Sequence, residues 1–112
     1  MVYNSHGVFI MMRIMIPVKE GKIETVFENS TQFYVYAAEG GQILHKSEVV
    51  SDKVPLECIK DLKADACICD AIEDTSRQTL TQSGIAVFHH AQGSPDSAIS
   101  ALFMGQLGTP SI

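Results

Sequence analysis

Ala64-Asp-Ala-Cys-Ile-Cys-Asp-Ala-Ile72, the polar segment 73–83, and then Gly84-Ile-Ala-Val-Phe-His-His90 form the stretch on which the fold turns. The first run is apolar and rich in small residues. The middle segment is polar and compatible with a helix. The last run is dense in β-formers. Strand, helix and strand at this spacing predict a βαβ unit with a right-handed crossover. In such sheets ligands sit outside the carboxyl ends of the strands. Those ends carry Cys69, Asp70, Glu73, His89, His90 and Gly93. The candidate chemistry is therefore gathered on one edge.

Upstream of this unit, residues 13–18 read as a first strand. Ile14 and Ile16 share one face and Met15 takes the other, so the strand is expected to be central and covered on both sides. Residues 23–31 read as an irregular link. In the second strand, 32–38, Phe33, Val35 and Ala37 alternate with Tyr34 and Tyr36. Glu39-Gly-Gly-Gln42 is a hairpin signal. The third strand, 43–50, reads as an edge, with His45, Lys46 and Glu48 supplying charges that discourage edge pairing. A first helix is expected over 55–63. Pro55 suits its first position, Leu56, Ile59 and Leu62 form its stripe, and Cys58 lies beside that stripe.

Within the βαβ stretch, the fourth strand is expected over 65–71, the second helix over 75–83 and the fifth strand over 85–89. Thr75 and Gln78 fit a capping box, and Gly84 fits the carboxyl cap. Gly93-Ser94-Pro95 opens a third helix, with Ser94 as cap and Asp96 near the positive end. Its core face is Ala98, Ile99, Leu102 and Phe103, and Gly105 ends it. Residues 108–112 read as a tail.

This order predicts an α/β protein: a ribonuclease H-like mixed five-stranded sheet, order 3-2-1-4-5, strand 2 antiparallel, with helices on both faces. Nuclease chemistry is not expected. Such enzymes place carboxylates on the central strand to hold two metal ions about 4 Å apart, and the first strand here offers Ile14 and Ile16. The chain also has no phosphate loop, nucleophile elbow or zinc-protease helix.

A length of 112 residues fits one domain, expected over 12–107. A net charge of −5 argues against a nucleic-acid partner and against an anionic membrane surface. Three cysteines do not make a secreted disulfide framework, and a reducing cytoplasm is the simpler expectation. The apolar run through Val18 is interrupted by Arg13 and is too short to span a bilayer, which needs about 20 apolar residues. Met11-Met12 marks a plausible natural start, with residues 1–11 as an extension that is disordered in part, or whose Val8 to Ile10 prolong the first strand.

Each candidate side chain has two readings. Cys67 and Cys69 alternate with Ala66 and Ile68, so both thiols face one way. Thiolates bind soft metals, whereas buried thiols are ordinary core residues. His89 and His90 are adjacent and face opposite ways if both lie in a strand. Imidazole is a good ligand for iron, copper or zinc, and a polar strand end is the plainer reading. Asp70, Glu73 and Asp74 suit the mouth of the second helix. Gly93 and Ser94 suit a turn and cap, whose free N–H groups also favour an anion or sulfide.

Five segments together resemble a known family. They are Met12-Arg-Ile-Met-Ile-Pro-Val18, Phe33-Tyr-Val-Tyr-Ala-Ala-Glu-Gly-Gly-Gln-Ile43, Asp65-Ala-Cys-Ile-Cys69, Gly84-Ile-Ala-Val87, and Ala98 to Leu107. They are similar to the dinitrogenase iron–molybdenum cofactor biosynthesis family of small cofactor carriers linked to nitrogen fixation. The resemblance implies a ribonuclease H-like fold and non-enzymatic binding of a metal–sulfur cluster or iron–molybdenum cofactor precursor. The expected site comprises Cys69, Asp70, His89, His90, Gly93 and Ser94, with His89, His90 and Cys69 as metal ligands. The expected partner is a client metalloprotein or cluster-assembly protein, and the chain itself a monomer or weak homodimer. The alternatives are a diverged interaction module of the same fold with no cluster, and a thiol- or metal-dependent hydrolase, for which no catalytic spacing is present.

Overall fold

The computed structural model describes residues 11–112. The expectation that Val8 to Ile10 prolong the first strand falls outside them. Along the chain lie β1 (Met12–Lys19), β2 (Lys22–Ile23), a 3-10 turn (Phe27–Asn29), β3 (Gln32–Glu39), β4 (Gln42–Val50), α1 (Pro55–Asp61), β5 (Ala66–Ile68), α2 (Asp74–Gln82), β6 (Ala86–Phe88) and α3 (Pro95–Phe103). The fold is a mixed α/β arrangement around one sheet, in the order β4-β3-β1-β5-β6, with β2 paired to β1. β1 runs antiparallel to β3 and parallel to β5, and β5 is parallel to β6.

The sheet has six strands rather than the expected five. The addition is β2, read from the sequence as part of an irregular link. Glu20 and Gly21 both take positive φ, 54° and 79°, which folds the chain back so that Val18 pairs with Ile23 and Lys19 with Lys22. A second tight turn, at Gly40 and Gly41, has φ of 59° and 79°, the pattern that matches the twist of two-residue hairpins. It sets Glu39 opposite Gln42 and launches β4.

β1 is buried on both faces. Met15 packs with Cys67, Cys69, Val87, Ile59 of α1 and Leu80 of α2. Ile14 and Ile16 pack with Tyr36, Ile68 and Ile99 of α3 on the other side. Helices thus cover both faces of the sheet. Fully burying each of these large apolar side chains is worth roughly 1.5–3 kcal/mol. The Tyr36 hydroxyl, 2.8 Å from Asp96 Oδ1, ties β3 to the first turn of α3.

Two helix starts differ in kind. α3 begins as its sequence suggests, with the Ser97 N–H donating to Ser94 Oγ at 3.2 Å. α2 begins one residue early, at Asp74, with Glu73 in the capping position and Thr75 inside the helix. The expected Thr75–Gln78 box is therefore not the cap. The Glu73 N–H instead donates to Glu28 Oε2 of the 3-10 turn at 2.9 Å, so a carboxylate distant in sequence takes the role expected of Gln78. α2 ends as expected: the Gly84 N–H reaches the Thr81 carbonyl and the Ile85 N–H the Leu80 carbonyl, both at 3.0 Å, with Gly84 at φ 83°.

β5 and β6 have three residues each, shorter than the expected 65–71 and 85–89. Ala71 leaves the main sheet to pair with Val26, and the chain after Phe88 turns at His90. The expected free tail 108–112 is also corrected. Ser111 and Val87 exchange both backbone hydrogen bonds at 2.9 Å, covering the outer edge of β6. Among the described residues no helix is long and apolar enough to cross a membrane.

Candidate functional site

Three connections meet at the carboxyl ends of β1, β5 and β6: residues 20–25, 69–73 and 89–94. Backbone hydrogen bonds lock them together. The Ile23 N–H donates to the Gly93 carbonyl (2.8 Å), the Ala71 N–H to Thr25 (3.1 Å), the His90 N–H to Asp70 (3.2 Å) and the Ala91 N–H to Cys69 (3.0 Å). Between the first loop and the others lies a cleft of about 420 Å³, lined by Lys19, Lys22, Glu24, Asp70, Gln92 and Gly93 among others. Its walls carry both signs of charge. Glu24 is 9% exposed and accepts from the Val26 N–H and the Thr25 hydroxyl, each at 3.3 Å.

The six expected site residues fall into three places. Asp70 and Gly93 line the cleft. Ser94 caps α3. His89 and His90 sit together on the neighbouring shoulder, with ring centroids 4.3 Å apart and planes at 44°. Strand geometry would have sent them to opposite faces. They meet because β6 has already ended at Phe88 and His90 takes a left-handed backbone, φ 68°. A non-glycine residue in that region carries a cost on the order of 1 kcal/mol.

The electrostatics of the shoulder favour the neutral form of His89. Desolvation lowers the His89 pKa from its ordinary value, and the charges of His90 and Arg77 lower it further, against an opposing pull from Asp74. Arg77 and Asp74 belong to the first turns of α2 and pair with each other at 3.2 Å. The Arg77 contribution was not read from the sequence. No local pattern signals it, because it depends on α2 passing beside the end of β6. A neutral ring is the metal-binding form.

Cys69 lies elsewhere. It is fully buried, with Cys67, in the cluster under α1 and α2. The hydrogen bond to Cys69, together with burial, pushes the Cys67 thiol well above its ordinary pKa, so it stays protonated. Cys58 is also free and buried, and burial raises its pKa too. Among the described residues, no group of three or more His, Cys, Asp or Glu side chains is arranged to hold a metal ion.

A family model for the dinitrogenase iron–molybdenum cofactor matches residues 11–105. The chain belongs to the dinitrogenase iron–molybdenum cofactor family. Solved structures agree on the fold of this family member. A candidate dinitrogenase from Methanocaldococcus jannaschii superposes with a TM-score of 0.76 at 20% identity, over 91% of this chain and 94% of that one. The apo form of the orange protein from Desulfovibrio gigas gives 0.72 at 16% identity, over 92% and 98%. A candidate NifB protein from Thermotoga gives 0.63 at 20%, over 85% and 90%. No curated protein sequence matches the chain.

Proposed function

We propose that this protein is a small non-enzymatic carrier that holds a metal–sulfur cluster, of the iron–molybdenum cofactor precursor or iron–sulfur type, and hands it to a client metalloprotein or cluster-assembly protein. The observation that carries the reading is the paired imidazoles of His89 and His90 on the carboxyl edge. Family membership over most of the chain supports the class of cargo. The sheet, read as a ribonuclease H-like platform, holds the edge rigid while the loops do the binding.

In this reading His89 and His90 are the metal ligands, and the cluster's own sulfides or the client complete the coordination. One half-buried and one exposed borderline donor hold a soft metal reversibly, as a carrier requires. The half-exposed Arg77 beside His89, together with Lys19 and Lys22 across the edge, offsets part of the carboxylate charge that would repel an anionic cluster. Asp70, Gly93 and Ser94 border the cargo without binding metal. Cys69 stays in the core, because reaching it means displacing α2.

The test uses untagged protein handled without oxygen and supplied with ferrous iron, sulfide and molybdate, then desalted and analysed for metal and sulfide. The wild type is expected to retain near-stoichiometric metal with sulfide. His89→Ala/His90→Ala is expected to lose at least tenfold in retention, the scale on which even supporting shell changes act. Equal retention by the variant overturns the His89/His90 site and moves it toward Cys69; no retention by the wild type overturns the carrier and leaves the cluster-free interaction module.

A further inference from the structure

We infer that β4 is the self-pairing edge of a closed, two-fold symmetric homodimer, with a second copy of this chain as its partner. The inference rests on the geometry of the edge and not on the cargo reading.

β4 is nine residues long and, among the described residues, pairs only with β3 on its inner side. Its phase is readable from one bond. The Ser51 N–H donates to the Thr31 carbonyl at 2.9 Å, in register with the β3–β4 ladder. Antiparallel pairs alternate between bonded and non-bonded positions. Val49, Ser47 and His45 therefore aim their backbone groups at β3, and Lys46, Glu48 and Val50 aim theirs outward. Only an antiparallel register that sets outward residues opposite outward residues can extend the sheet.

The registers with dyads at Lys46, Ser47 and Glu48 all satisfy that phase, and charge separates them. A dyad at Lys46 sets lysine against lysine. A dyad at Glu48 sets glutamate against glutamate. A dyad at Ser47 sets Lys46 of each copy opposite Glu48 of the other, twice. It also brings Val50, 76% exposed, beside Leu44, 52% exposed. Directly opposed unlike charges and apolar pairs stabilise a ladder, whereas like charges destabilise it, so the charges that discourage pairing in other registers favour this one. The register skips Leu44 between Ala37–His45 and Ala38–Ile43, so the bulge there ends the new ladder. The other rim of the sheet is already covered by Ser111. Assembly therefore stops at two copies instead of growing into a fibre.

Sedimentation equilibrium of the full chain over a wide concentration range tests this. The wild type is expected to show a concentration-dependent monomer–dimer equilibrium. Lys46→Glu and Glu48→Lys each convert both cross-pairs to like charges and are expected to weaken dimerisation about tenfold. An equimolar mixture of the two variants restores unlike charges at both pairs, as does the Lys46→Glu/Glu48→Lys double variant. Both are expected to regain wild-type association. Lys46 also contacts Asp96 at 3.1 Å, so Glu48→Lys, which keeps that contact, guards against a folding artefact. A wild type that stays monomeric at all concentrations overturns the inference. So does a dimer that neither single variant weakens, or a mixture that gains nothing over its components.

Discussion

Two pairs of soft donors lie close to the same sheet edge and have opposite fates. Cys67 lies in β5 and Cys69 directly follows it, and both are wholly buried beneath α1 and α2. His89 and His90 follow the end of β6, His89 half-buried and His90 exposed, ring beside ring. Both pairs lie at the carboxyl end of a short parallel strand, so the choice of strand end does not distinguish them. What differs is spacing and backbone. Residues two apart in a strand share a face, and here that face is roofed by helices. Adjacent residues share a face only when the backbone leaves the strand, as His90 does at φ 68°. The thiols were turned inward by regularity, and the imidazoles were brought together by its loss. A list of metal-binding residue types would rank cysteine first; packing here hides the thiols in the core.

The contrast can be broken or sharpened in several ways. The largest effect is expected from Cys67→Ser/Cys69→Ser, which sets two hydroxyls in an apolar interior. Stability should fall by about 2–4 kcal/mol, read as a lower urea midpoint, while metal retained per folded molecule is unchanged. Next, all three thiols should react with an aromatic disulfide reagent at least about 100-fold more slowly in native protein than in denaturant, since reaction awaits opening of the core. Rapid labelling of two thiols in the native state would contradict their burial. His89→Ala/His90→Ala should shift stability by no more than about 0.5 kcal/mol, as surface changes do.

A pH dependence follows from His89. Its folded pKa lies below the ordinary value of about 6.5. The unfolded chain therefore binds the proton more readily, and stability declines as pH falls through that value. His89→Gln should flatten the urea midpoint across that range relative to wild type. The smallest effect is expected from Arg77→Gln. Removing that charge should raise the His89 pKa, followed by NMR titration of the imidazole; a lowered pKa would contradict the placement of Arg77.

Much of the scaffold is legible in the sequence because it rests on local rules. The two-sided apolar run of β1, the Gly40-Gly41 turn, the Ser94 cap and the Gly84 stop each act within a few residues. What escapes sequence reading depends on distant partners. β2 forms because the Glu20-Gly21 turn returns it to β1, although only Gly21 hints at it. Glu28 caps α2 from 45 residues away in place of the Thr75–Gln78 box. The tail joins β6 through Ser111, whose surrounding residues carry no strand pattern. The candidate site divides in the same way. Its location on the carboxyl edge follows from the βαβ order, whereas the meeting of His89 with His90 and the burial of Cys69 are tertiary facts.

The most direct test of the account is X-ray absorption at the iron edge of anaerobically loaded protein, with the two double variants alongside. The account predicts imidazole scattering beside the cluster sulfur signal in the wild type. That imidazole signal should be unchanged in Cys67→Ser/Cys69→Ser and lost in His89→Ala/His90→Ala. A purely sulfur-ligated iron that survives the histidine substitutions and disappears with the cysteines would contradict it, and would mean that α2 opens to admit the cargo.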